Sequence, residues 1–139
     1  MSNRLLIVDD QRGIATVVGQ IAETLGFEVR IMTSSVDATE VFLEFRPNIV
    51  FLDMIMPTKD GIDVLNEILL TDIPTRIILA SGAGEAYLKL GKGVAHLHGN
   101  DQVLLLRKPF RRAELIAALT REQAATDTPS DPPDGARQS

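Results

Sequence analysis

Five residues of this chain could do chemistry together if the fold brought them to one place: Asp9, Asp10, Asp53, Ser81 and Lys108. Each follows an apolar run at the point where a strand would end. Leu5-Leu6-Ile7-Val8 runs into Asp9-Asp10, and Ile49-Val50-Phe51-Leu52 into Asp53. TRIILA leads to Ser81 and VLLLR to Lys108. The carboxyl ends of strands are where open α/β sheets bind ligands, and a single carboxylate there is a nucleophile, a metal ligand or a turn cap. Three carboxylates a few ångströms apart repel one another by about 4 kcal/mol per close pair at an effective dielectric near 20. They stay ionised together only around a cation. An all-oxygen site on a loop edge without cysteine suits Mg2+, which keeps several waters and takes a phosphate oxygen as ligand. A carboxylate can also accept a phosphoryl group as an aspartyl phosphate. Such a transfer asks the protein for positioning and for neutralisation of charge on the equatorial oxygens, which the Lys108 ammonium and the Ser81 hydroxyl can supply. Taken singly, Asp53 reads as a turn residue, Ser81 as a strand-end hydroxyl and Lys108 as a surface charge; the set carries the reading.

The elements that must position these residues follow from hydrophobic periodicity. The run Asn48 to Leu52, bounded by the turn residues Pro57, Asp60 and Gly61, reads as a strand buried on both faces of a parallel sheet. Phe27 to Met32 is a further short strand. Ile14, Val17, Val18, Ile21 and Leu25 predict the inward face of a helix that Gly26 stops. Ala38, Val41, Phe42 and Phe45 predict a second helix, opened by Ser34 and Asp37 as a capping pair and closed by Pro47. Leu65, Ile68 and Leu69 face inward on a third, from about Ile62 to Leu70, and Leu115, Ile116 and Leu119 on a last one, from Arg111 to about Gln123. Between these two, Glu85 to His98 reads as helix interrupted by Gly91 and Gly93. Five strands alternating with five helices imply right-handed βαβ units and a parallel sheet covered on both faces. We expect one domain over residues 1–123. Residues 124–139, with Pro129, Pro132, Pro133 and Gly135 among Asp and Ser, read as a flexible tail too poor in apolar residues to fold as an output domain.

Composition narrows the function classes. The chain has no cysteine, which excludes disulfides, thiolate metal sites and thiol nucleophiles. Its net charge of −5 argues against nucleic acid or an acidic membrane surface as the main partner. The N-terminal apolar run, Leu5 to Val8, is too short for a signal or a membrane span, so the expected location is cytoplasmic. The basic group Arg107, Lys108, Arg111 and Arg112 reads as a solvated helix start with one functional lysine. His96 and His98 stand two apart and so on different faces of a helix; with only Asp101 near them, they read as a solvated turn rather than a metal pair.

Asp9-Asp10 after the first strand, Asp53-Met-Ile-Met-Pro-x-x-Asp-Gly, Ser81-Gly and Lys108-Pro-Phe together resemble the receiver domain of two-component response regulators, over about residues 3 to 122. The resemblance implies a flavodoxin-like (βα)5 fold with sheet order 2-1-3-4-5. It implies Asp53 as acceptor of a phosphoryl group from a sensor histidine kinase or phosphotransfer protein. It further implies Mg2+ held by Asp9, Asp10, Asp53 and the Met54 carbonyl, phosphate-sensing roles for Ser81 and Lys108, and a cis Lys108-Pro109 bond. With no output domain expected, the effect falls on a separate effector protein, through a switch of the face formed by the fourth helix, fifth strand and fifth helix.

Two features depart from that pattern. Where similar receivers carry Tyr or Phe three residues before the lysine, this chain has Leu105, and the stretch from Ser81 to Lys108 is longer than usual, with Ala95 to Asn100 in place of a Gly-Ala turn. We therefore expect a longer or distorted fourth helix. Ile55, apolar and two residues after Asp53, would hinder water attacking the phosphoryl group. It also weighs against a phosphohydrolase of the haloacid dehalogenase type, which needs a second Asp at that place. The alternatives within the receiver reading are a binding module independent of phosphorylation, which Leu105 keeps open, and a phosphate sink.

Overall fold

The computed structural model describes residues 3–56, 59–82 and 85–120. In chain order the elements are β1 (Asn3–Val8), α1 (Arg12–Thr24), β2 (Phe27–Met32), α2 (Ala38–Phe45), β3 (Ile49–Asp53), α3 (Gly61–Leu70), β4 (Arg76–Ser81), α4 (Glu85–Leu97), β5 (Val103–Arg107) and α5 (Arg112–Thr120). All strand pairs are parallel, in the order β2-β1-β3-β4-β5. The fold is the doubly wound, flavodoxin-like one expected. The proposed tail lies outside the described residues.

Strand alternation builds two cores. Leu6, Val8, Val50, Leu52, Ile77, Leu79 and Val103 point to one layer, under α2, α3 and α4. Leu5, Ile7, Ile49, Phe51, Ile78, Ala80 and Leu106 point to the other, under α1 and α5. Successive side chains of a strand face opposite sides, and both sides are covered, so β3 is buried along its whole length. That is why the central strands read as unbroken apolar runs.

Three expectations need correction. Val17 lies half exposed, at 51%, rather than in the core. The inward stripe of α1 is centred on small residues, Ala15, Gly19 and Ala22, beside Val18 and Ile21. They let the helix sit close to the sheet: a Cβ on Gly19 would stand 3.2 Å from Ile31 Cδ1. Second, the Ser34–Asp37 capping pair does not form. Asp37 is the N-cap of α2 but has a left-handed backbone (φ 70°) and makes no side-chain cap bond. Ser34 Oγ instead accepts the Val36 N–H at 3.2 Å. Its neighbour Ser35, almost wholly buried, donates to the Lys59 carbonyl in the β3–α3 loop. Lys59 in turn pairs with Glu67 of α3 at 2.7 Å, and with Thr39 it holds that carboxyl below its usual range.

Third, the glycines do not interrupt α4, which runs through both. Gly91 faces the core, where a Cβ would come within 2.8 Å of Leu79 Cδ1 and 2.9 Å of Met54 Cε. Gly93 faces open space. The helix ends in a Schellman cap, with Asn100 N–H donating to the Ala95 carbonyl and Gly99 N–H to His96 at 2.9 Å each, and Gly99 at φ 80°. This accounts for the sequence from Ala95 to Asn100. His96 Nδ1 lies 2.9 Å from Asp101 Oδ1, whereas His98 Nε2 lies 3.1 Å from Asn66 Oδ1 on α3. The two imidazoles thus have separate partners and do not converge on one metal position.

Candidate functional site

The strand registers set the site. Val8 pairs with Leu52, Asp53 with Ala80, and Ser81 with Arg107, so β1, β3, β4 and β5 end at nearly the same level. The next backbone bonds keep them there: Asp9 N–H donates to Met32, Met54 N–H to Ala80 at 2.9 Å, and Lys108 N–H to Ser81 at 3.0 Å. All five residues singled out in the sequence therefore stand on one edge of the sheet.

Asp9 and Ser81 are buried, Asp53 is 4% exposed, and Asp10 is partly exposed. Carboxylate oxygens of Asp9, Asp10 and Asp53 lie within 4.8 Å of one another. Asp9 divides its oxygens between the Gln11 N–H, at 2.9 Å from Oδ1, and Lys108 Nζ, at 2.7 Å from Oδ2. Lys108 Nζ also stands 3.3 Å from Asp53 Oδ2, while Asp53 Oδ1 accepts the Ile55 N–H at 3.3 Å. The Asp53 carboxyl is pushed up to about 6. Burial is the main cause; the Lys108 ammonium opposes it, Asp9 adds to it, and the Ile55 N–H opposes it weakly. Asp53 thus sits in a polar but poorly solvated place, with one ammonium serving two carboxylates.

Gly61, the first residue of α3, donates its N–H to the Met54 carbonyl at 2.9 Å. A Cβ on Gly61 would strike the Asp53 carbonyl and Met54 Cα, backbone atoms that cannot yield. The Met54 carbonyl, expected as a metal ligand, accepts this bond from Gly61, and Met54 itself is wholly buried. Ile55 is 47% exposed at the mouth. The Lys108-Pro109 bond is cis, and Phe110 packs edge-on against Phe51 of β3, ring centroids 6.0 Å apart. Leu105, on β5 opposite Leu79, is half buried against the core under α4. Three residues that periodicity did not single out also serve here: Gln11, whose side chain reaches Lys108, and the Ser35–Lys59 pair that ties the β3–α3 loop to the loop between β2 and α2. Gln11 directly follows the acidic pair, which was its one signal in the sequence; Ser35 gave none.

A doubly wound sheet with three carboxylates, a lysine and a hydroxyl at its carboxyl edge fits a phosphoryl-handling signalling domain. A family model for the response regulator receiver domain matches residues 5–120, and the chain belongs to that family. It is 37% identical over 122 residues to the chemotaxis protein CheY of Bacillus subtilis, covering 87% of this chain and 98% of that one. It is 31% identical over 122 residues to the CheY of Thermotoga maritima, with the same coverage. The receiver domain of NtrX from Brucella abortus superposes with a TM-score of 0.70 at 27% identity, covering 84% of this chain and 95% of that one. Receiver domains are signalling proteins that take phosphoryl groups from histidine kinases or phosphotransfer proteins, bind Mg2+ at an acidic cluster and act on effectors. This chain is a receiver for phosphorylation-dependent signalling. Among the described residues no helix is long and apolar enough to cross a membrane.

Proposed function

We propose that Asp53 is the phosphoacceptor of this receiver, supplied by a sensor histidine kinase or phosphotransfer protein in the cytoplasm. One carboxylate oxygen of Asp53 attacks the donor's phosphorus, the bond from phosphorus to the donor breaks, and an aspartyl phosphate forms. Lys108 and Ser81 then face the phosphoryl oxygens. The donor set of Asp9, Asp10 and Asp53 is all oxygen, anionic and partly open to water, which fits Mg2+. When bound there, the metal neutralises charge on the phosphoryl oxygens.

The observation that carries the reading is the single ammonium of Lys108 shared between Asp9 and Asp53, at 2.7 and 3.3 Å, beside the third carboxylate. That arrangement leaves a surplus of negative charge for a divalent cation and a cation for the incoming phosphoryl group. Ile55, over the mouth, hinders water and lengthens the phosphoryl lifetime. The modified state acts on a separate effector through the face of α4, β5 and α5.

The test incubates the protein with Mg2+ and acetyl phosphate, following intact mass and backbone amide shifts, with Asp53→Asn as control. Gain of one phosphoryl group, lost in the control, supports Asp53 as acceptor. Shifts spreading into residues 85–106 support a working switch, whereas modification without them points to a phosphate sink. No modification and no Mg2+-dependent shift at Asp9, Asp10 or Asp53 would leave the phosphorylation-independent binding module, which Leu105 keeps open.

A further inference from the structure

Gln11 stands at the N-cap of α1, with φ −87° and ψ 98°, yet makes no side-chain cap bond. Ser, Thr, Asp and Asn are preferred at such positions because a short side chain can reach back to the first free N–H groups of the helix. The Gln11 side chain reaches the other way, and its Oε1 accepts a hydrogen bond from Lys108 Nζ at 3.0 Å. Its backbone N–H meanwhile donates to Asp9 Oδ1 at 2.9 Å. One residue therefore holds both halves of the Lys108–Asp9 pair.

A lysine ammonium has three donors and no acceptor. Around Lys108 Nζ stand three oxygens: Asp9 Oδ2 at 2.7 Å, Gln11 Oε1 at 3.0 Å and Asp53 Oδ2 at 3.3 Å. The two carboxylates alone would draw the ammonium between them, into the space that a divalent cation and a phosphoryl group also need. The amide adds a third direction of pull from the start of α1, and adds no charge. In keeping with this, the contact to Asp9 is shorter than that to Asp53.

We propose that Gln11 is a positioning residue of the phosphoryl site: by accepting a hydrogen bond from Lys108 it holds the ammonium on the Asp9 side and leaves Asp53 to the metal and the incoming group. The inference rests on the roles of Asp53 and Lys108 proposed above. An apolar side chain of equal length would release the ammonium towards Asp53. A carboxylate would hold it by charge and neutralise the cation that the phosphoryl group requires. A neutral acceptor does neither.

The test compares Gln11→Met with the unsubstituted protein, each also in a Lys108→Met background, using the full chain. Two measurements need no phosphorylation: the ε-methylene NMR signal of Lys108, and Mg2+ affinity followed by the amide shifts of Asp9, Asp10 and Asp53. Gln11→Met is expected to move the Lys108 signal and to weaken Mg2+ binding by roughly three- to tenfold, the scale of one ordinary net hydrogen bond. Modification by acetyl phosphate should slow to a similar degree. In the Lys108→Met background the Mg2+ effect should vanish. An unmoved Lys108 signal, or a loss of Mg2+ affinity that persists without Lys108, overturns the proposal. If the unsubstituted protein gains no phosphoryl mass, the phosphoacceptor reading fails on its own, and the Lys108 and Mg2+ measurements still decide the role of Gln11.

Discussion

At the residue scale, Asp53 is held at a cost to stability. Its carboxyl is raised from 3.8 to about 6 in the folded protein, so between those pH values the folded chain binds more protons than the unfolded one. Stability therefore falls as pH rises through that window, by about 3 kcal/mol in all if the whole shift is realised. Two outcomes follow. Without metal, Asp53→Asn should raise the melting temperature at pH 8 and leave it nearly unchanged at pH 4, where Asp53 is already close to neutral. Mg2+ should stabilise the unsubstituted protein more at pH 8 than at pH 5, because it binds the ionised form. Thermal denaturation across that pH range, with and without chelator, checks both, and equal effects at both ends would contradict the assignment of the shift to burial. Ile55 belongs to the same scale. Ile55→Asn replaces an apolar side chain, 47% exposed at the mouth, with one that can hold water, and should shorten the phosphoryl lifetime several-fold. A decay no faster than that of the unsubstituted protein would exclude the role.

At the element scale, α4 separates two glycines that look alike in the sequence. Gly91→Ala would push a Cβ into Leu79 Cδ1 and Met54 Cε. Both are ends of flexible side chains, so we expect a net loss of about 1 kcal/mol, overpacking outweighing the gain in helix propensity. Gly93→Ala meets nothing within 4 Å and should gain about 0.5–1 kcal/mol. Chemical denaturation of the two variants should move their midpoints in opposite directions. The sequence could not foretell this. Glycine lowers helix propensity at both sites, and only the approach of α4 to β3 and β4 decides that one of them is required. The same physics displaced Val17: hydrophobic periodicity weighs large residues, whereas the contact of α1 with the sheet is made through Ala15, Gly19 and Ala22. Strands, by contrast, were legible almost to the residue. A strand buried on both faces, such as Ile49–Asp53, needs an unbroken apolar run, and a polar residue at its end is then conspicuous. That is how Asp9, Asp53, Ser81 and Lys108 could be read together, while Gln11 and Ser35, polar residues in loops that already had reason to be polar, could not.

At the scale of the whole molecule, the two cores divide the consequences of any change at Asp53. Met54, next in the chain, is wholly buried in the core under α2, α3 and α4, and so are Leu79, Leu88 and Ala95. Phe51, two residues before Asp53, lies in the other core with α1 and α5. The Met54 methyl reaches the place where α4 carries Gly91, so a shift of the β3–α3 loop bears directly on α4 without needing an aromatic side chain at position 105. We therefore expect a phosphoryl mimic such as beryllofluoride, with Mg2+, to move amide signals along α4 and in Leu105, and to leave the middle of α1, from Ala15 to Ala22, nearly unmoved. Gly91→Ala sharpens the test, because it wedges the same contact from the other side. It should change the amplitude of the α4 shifts on activation, whereas Gly93→Ala should not. Shifts spread evenly over both layers, or an α4 response indifferent to Gly91→Ala, would mean that the signal leaves Asp53 by another route than Met54.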